Sequence, residues 1–280
     1  MTSFFHPNYN ACSNGKRLTG FPRYTEVMER NIKSFLLTNL MTLIGFLPFT
    51  LGMILAILTS SVLVLIPACI IGGIFAGPAL SCMYDSIMRS LRDASGKWRS
   101  DYTHAWKQNW RQSILPGILF CLLLGIYVFM AMLFWWSVRF PGWGTISVYL
   151  CSLLFFTMFF SVFWPQIVLF EQPLSQCVKN CLLFLLRFFP KTAGIALIQL
   201  VYWIIIILFL PWSVLLLPLT GIWFILYSAN FLIYDTLNSV FGIEAKIADA
   251  FPEQVPYYED DETWLKRKQE ETYGSQNSDC

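Results

Sequence analysis

The chain has 280 residues, of which 56% are apolar, 17% aromatic and only 13% charged, with a mean hydropathy of +0.56. Soluble domains carry about 25% charged residues, so the composition excludes an ordinary soluble enzyme or binding module and points to a membrane protein. Net charge is only +2, and the placement of the charges is more informative than their sum.

Residues 1–33 are polar and basic, with Lys16, Arg17, Arg23, Arg30 and Lys33. They lack the short apolar stretch and small-residue cleavage site of a secretory signal, so the first span is expected to serve as the insertion signal. Beyond them, no Asp, Glu, Lys, Arg or His occurs in residues 34–84, 112–138, 140–170 or 192–234. One helix crosses a hydrocarbon core about 30 Å thick with about 20 apolar residues, so the first and last runs must each be a hairpin. The first is expected to turn at Thr59, Ser60 and Ser61, and the last near Leu210, Pro211, Trp212 and Ser213, where Pro interrupts the backbone ladder. Six spans result, at 35–58, 62–84, 113–137, 145–169, 192–210 and 214–235. The expected fold is an all-α polytopic bundle of three hairpins. A basic segment (1–33) precedes the transmembrane domain (34–235), and a polar tail (236–280) follows it.

Of the 19 Lys and Arg residues, 18 fall in the four segments that precede spans 1, 3 and 5 and follow span 6; Arg139 is the exception. The positive-inside rule places those four segments, and both termini, in the cytoplasm, as for a multi-pass protein of the cell membrane. None of the eight Cys falls in the outer loops, so no disulfide framework is expected.

Two cytoplasmic connections are predicted to form interfacial helices, over 97–111 and 174–189. In the first, Trp98, Tyr102, Trp106 and Trp110 recur every four residues beside Lys97, Arg99, Lys107 and Arg111. That spacing makes one aromatic stripe on a helix. Two readings fit it: a helix lying on an anionic leaflet, or a helix packed under the bundle. Nucleic acid is not an expected partner, because lipid would occupy the same surface. A weak internal repeat is also visible, with Arg30-Asn31-Ile32-Lys33 before span 1 echoed by Gln108-Asn109-Trp110-Arg111 before span 3.

The first hairpin reads Asn39-Leu40-x-x-Leu43-Ile44-x-x-Leu47-Pro48-x-Thr50-x-Gly52, and span 2 ends in Gly77-Pro78-Ala79-Leu80-x-x-x-Tyr84. Arg89-x-x-Arg92 and Ala105-Trp106-Lys107-Gln108-Asn109-Trp110-Arg111-Gln112 follow. Over about residues 31–115 this succession resembles the YesL-like family of bacterial membrane proteins. The chain departs from the family pattern between Gly52 and Gly77, where typical members pass almost directly from one to the other. The resemblance implies a largely uncharacterised protein, often encoded beside carbohydrate ABC-transport components and glycan-degrading enzymes. The partners it implies, besides the lipid bilayer, are ABC-transporter or other membrane-protein subunits.

Catalytic and metal chemistry find little support. The two His residues, His6 and His104, make no ligand spacing, and Cys177-x-x-x-Cys181 has no second pair nearby. Neither a phosphate-binding glycine loop nor a nucleophile elbow is present, so no catalytic residue, metal or cofactor is expected. Ion-coupled transporters place ionisable residues within the membrane, and here every such residue lies outside the spans. Asp85, Glu171 and Asp235, at the cytoplasmic ends of spans 2, 4 and 6, are expected to pair with lead-in cations such as Lys33, Arg111 and Lys191 in a charge clamp. Four neutral amides lie within spans: Asn39, Gln166, Gln199 and Asn230. If they converge they would line a path for a polyhydroxylated solute; if they do not, each is interhelical glue. Gly72, Gly73 and Gly77 give span 2 a face for close helix approach.

In the tail, an acidic block from Tyr257 to Glu262 precedes Trp264-Leu265-Lys266-Arg267-Lys268, a pattern expected of a solvated segment. The functional expectation is therefore a non-catalytic accessory or scaffold protein, associated through the resemblance with carbohydrate uptake. The alternative is a small-solute transporter or channel using the neutral amides.

Overall fold

The computed structural model describes residues 17–94, 96–137, 141–170 and 172–250. They form eight helices: α1 (Gly20–Leu58), α2 (Val62–Leu91), α3 (Trp98–Trp136), α4 (Trp143–Leu169), α5 (Leu174–Arg187), α6 (Phe189–Leu208), α7 (Trp212–Phe241) and α8 (Ile243–Ala250). Among the described residues six helices, α1, α2, α3, α4, α6 and α7, are long and apolar enough to cross a membrane. The chain is thus an all-helical, multi-pass membrane protein. Alternation of six spans puts the start of α1 and the end of α7 at one end of the bundle, called the terminal end below.

The helices outrun the spans at that end. Both α1 and α3 have 39 residues, about 58 Å at 1.5 Å per residue, against an apolar core of about 30 Å. Their charged lead-ins, 20–34 and 98–112, continue the spans as helix without a break. Glu, Arg, Lys and Gln favour helix nearly as well as Leu, and neither lead-in has an internal Pro or Gly to stop it beyond Gly20 and Pro22 at the first turn of α1. The 97–111 segment is therefore the first part of α3 rather than a separate helix. The second predicted interfacial helix does stand alone as α5, which buries Cys177, Cys181, Phe184 and Leu185.

The hairpin turns fall where hydroxyl residues and proline place them. Ser60 adopts a positive φ of 48° between α1 and α2, and α7 begins directly after Pro211. At the other end α7 runs past Asp235 to Phe241, where Gly242 (φ 60°) caps it and its N–H donates to Asn238 O at 2.8 Å.

Small residues bring α1, α2 and α3 together. A Cβ on Gly117 of α3 would lie 2.5 Å from both the Gly73 carbonyl oxygen and Gly77 Cα of α2, and one on Gly72 would lie 2.5 Å from Phe49 Cβ of α1. The face read from Gly72, Gly73 and Gly77 thus packs on both neighbours. A core of Phe49, Met53, Cys69, Cys121 and Phe129 fills this trio. The larger core joins the trio to the second half of the chain through Phe35, Tyr84, Trp164, Tyr227 and Ile233.

Candidate functional site

At the terminal end, α2 stops in a turn that carries a buried carboxylate. Ala94 N donates to Arg89 O at 2.9 Å and Asp93 N to Ser90 O at 3.2 Å, the paired bonds of a Schellman termination. The left-handed position of that motif usually holds Gly; here Asp93 occupies it with φ 61°, at a cost of about 1 kcal/mol. Its fully buried carboxylate accepts from Arg23 Nη2 at 2.5 Å and from Arg30 Nη2, with Arg17 Nε at 3.8 Å. A buried charge is sustained only when paired and hydrogen-bonded, and three guanidinium groups do this for Asp93.

The network extends across four elements. Glu26 accepts from Arg23 Nη1 and Arg30 Nη1, both at 3.1 Å, holding the two cations on one face of α1. Arg17 donates to the Leu91 carbonyl at 2.6 Å and to Glu244 of α8 at 2.8 Å. Glu244 also accepts from Tyr234 Oη at 2.8 Å, and its N–H donates to Asn238 Oδ1 at 3.0 Å. Burial pushes the Arg23 guanidinium down, but the Asp93 carboxylate outweighs it and leaves its pKa above the ordinary value. At Arg92 burial prevails and the shift is downward.

This platform is not the clamp expected from the sequence. Asp85 pairs within α2, accepting from Arg89 Nε at 2.6 Å, because a cation four residues along the same helix reaches it more readily than a lead-in residue does. Lys33, Arg111, Lys191 and Asp235 are exposed; Lys191 Nζ donates to Thr236 Oγ1 at 2.5 Å, and Glu171 lies outside the described residues. Sequence reasoning missed Asp93, Arg23, Arg30, Glu26 and Glu244. The available signal was Arg23, Glu26 and Arg30 at spacings of three and four, one helix face, with Asp93 in the place of a terminating glycine.

The four amides do not meet in one site. Asn39 bridges α1 to a break in α7 at Gly221 (φ −17°, ψ −121°). Its Nδ2 donates to Leu217 O and Pro218 O at 2.9 and 3.0 Å, and its Oδ1 accepts from Ile222 N and Trp223 N at 3.0 and 3.3 Å. Gln199 of α6 donates to Ser161 Oγ of α4 at 2.7 Å, and Gln166 of α4 donates to Cys181 Sγ of α5 at 3.1 Å. Asn230 donates to Leu226 O within α7 at 2.7 Å. Among the described residues no three His, Cys, Asp or Glu side chains gather as a metal ion would require.

The aromatic stripe turns toward the bundle. Trp98 Nε1 donates to Thr38 Oγ1 of α1 at 2.9 Å, Tyr102 lies against Trp98 and Trp106 with centroids 5.9 and 6.2 Å apart, and Trp110 is exposed. From Thr38 to Met53 α1 advances 15 residues, about 22 Å. Between its contacts with the same two residues α3 advances 27, from Trp98 to Gly125, about 40 Å. A pocket of about 460 Å³ lies between the lead-in, α1 and α2. A second pocket, of about 470 Å³, lies beside Arg111, Gln112 and Gln172. None of the four amides lines either one.

Residues 34–131 match the model of a family described as "Protein of unknown function, DUF624". The DUF624 segment coincides with the glycine-packed trio, from the Ser34 turn of α1 to near the end of α3. It contains Asn39, Asp93 and the 460 Å³ pocket, but not Arg17, Arg23, Arg30 or the α7 break. No curated protein and no solved structure matches the chain.

Proposed function

We propose that the chain is a YesL-like, non-catalytic accessory or scaffold protein of the cell membrane, with both termini cytoplasmic, serving a membrane-protein complex for carbohydrate uptake. The observation that carries this reading is the concentration of charge at one end of the bundle, organised there by Asp93 into a platform that ties α1, the α2–α3 turn, α7 and α8 together. A rigid, charged terminal face with apolar spans behind it suits docking of a partner better than chemistry within the membrane. The carbohydrate association rests on the family resemblance alone.

The test is co-purification of the full chain from its own membranes in a mild detergent. A stoichiometric membrane-protein partner is expected, weakened by reversing the exposed charges Lys33 and Arg111, while a carboxy-terminal phosphatase fusion stays inactive and a fluorescent fusion is bright. Absence of any partner, together with sugar flux through proteoliposomes of the pure chain, would favour the alternative of a small-solute transporter. One observation speaks for that alternative: the break in α7, since discontinuous helices are a habitual feature of solute sites. Against it, the backbone groups freed at the break are held by Asn39.

A further inference from the structure

We infer that the pocket between α1, α2 and the lead-in of α3 is a binding site for one anionic phospholipid, its acyl chain along α1 and α2 and its phosphate on Lys107. The floor of the pocket is made of small residues: Gly45 and Ala79 bring α1 and α2 so close that a Cβ on Gly45 would stand 2.5 Å from Ala79 Cβ. Its walls, Ile44, Pro48 and Phe75, are apolar. At about 460 Å³ it falls within the range of ligand pockets, about 300–1,000 Å³. For a slot opening between spans, the available filler is a lipid chain rather than a soluble molecule.

The rim supplies the headgroup chemistry. Tyr102 and Trp106 stand over the pocket, and such rings favour the headgroup level of a bilayer. Beside their stripe runs a second one at the same four-residue spacing, Arg99, Thr103, Lys107 and Arg111, all exposed. This ridge offers three cations and no carboxylate; the Thr103 hydroxyl donates to Arg99 O and Ser100 O, at 2.9 and 3.0 Å. The one acidic residue of the lead-in, Asp101, is occupied at the start of α3, where Gly96 N donates to its Oδ2 at 2.8 Å. An apolar slot ending in a cationic ridge complements a molecule with an acyl chain and net negative charge. The site is independent of whether the chain also has a protein partner.

The test is native mass spectrometry of the full chain offered equal amounts of phosphatidylglycerol and phosphatidylethanolamine in detergent. One retained phosphatidylglycerol is expected, preferred by about fivefold, the weight of one Lys at an anionic surface. Lys107→Ala should reduce its retention by about the same factor, and Lys107→Glu should abolish it. Ile44→Trp, placed on an exposed wall position, should expel both lipids while elution and thermal midpoint stay unchanged. Lys179→Ala on α5, away from the pocket, should retain lipid as the unsubstituted chain does. Equal retention of the two lipids, unaltered retention in the Lys107 variants, or displacement of phosphatidylglycerol by inorganic phosphate would each overturn the assignment. Should Ile44→Trp fail to fold, the Lys107 variants and the phosphate competition decide.

Discussion

Asn39 makes four hydrogen bonds to the backbone of another helix, and each answers a group that the break in α7 sets free. Pro218 has no N–H and Gly221 departs from helical geometry, so the usual bonds across residues 217–223 are interrupted. In an apolar surround a backbone group without a partner is costly, and one carboxamide, with two donors and two acceptor sites, serves both sides of the gap. Tyr202 Oη completes the repair by donating to Thr220 O and Gly221 O at 3.1 and 2.9 Å. Asn39→Leu keeps the branching at Cγ and removes all four bonds. Leaving a buried polar group unsatisfied costs about 1–3 kcal/mol, so a loss of about 3 kcal/mol or more is expected in reversible unfolding by SDS titration. An unchanged midpoint would mean that α7 does not depend on the amide. The Asn39-Leu40 pair was visible in the sequence as a family signature and as a polar residue in a span. Its partner was not, because Gly221 is 182 residues away and nothing local marks which helix faces it. Asp93 was hidden for the same reason: the two cations that bond it, Arg23 and Arg30, come from α1, more than 60 residues earlier.

At the scale of elements, the spans were legible because charge is excluded from hydrocarbon, and the uncharged runs end where the lead-ins begin. Helix boundaries were not legible by that rule, since a helix continues as long as its residues tolerate helix, through charged lead-ins as readily as through apolar spans. The small-residue face of α2 was readable as a face, but which helices it meets is a matter of packing: α3 on Gly73 and Gly77, α1 on Gly72. The glycines of this trio are therefore not equivalent to those elsewhere. Gly117→Ala sets a methyl group against the Gly73 carbonyl and Gly77 Cα, which are backbone and cannot rotate away, and overpacking of this kind costs about 1–3 kcal/mol. Gly194, inside α6, has open space at its Cβ position, and Gly194→Ala should be neutral or stabilise by up to about 1 kcal/mol through helix propensity. Thermal unfolding of the two variants in one detergent checks the contrast. Equal effects of the two substitutions would show that close approach of α2 and α3 does not limit stability.

For the whole molecule, the DUF624 segment (34–131) and the remainder differ in how they are held. Within the trio α2 packs on both neighbours through backbone contact at glycine. Between the trio and α4–α8 the union is made by large side chains and a few directed bonds: Tyr84 stacks on Trp164 with centroids 6.1 Å apart, Phe35 on Trp223 at 5.4 Å, and Tyr227 Oη donates to Tyr24 O at 2.7 Å. The larger core lies at this junction, so separating the halves exposes it to lipid rather than to water. Apolar burial then contributes little, because lipid tails are as apolar as the core, and the hydrogen bonds of Asn39 and Tyr227 together with the Arg17–Glu244 pair must hold the halves in register. A chain split between Ser137 and Pro141 and expressed as two pieces should therefore reassemble, the pieces co-purifying at one to one with the elution volume of the intact chain. The same split carrying Asn39→Leu should yield separate pieces, although the intact chain carrying that substitution still folds. If the split pieces assemble equally well with and without Asn39, shape alone joins the halves, and the directed bonds across the junction are consequences of assembly rather than its cause.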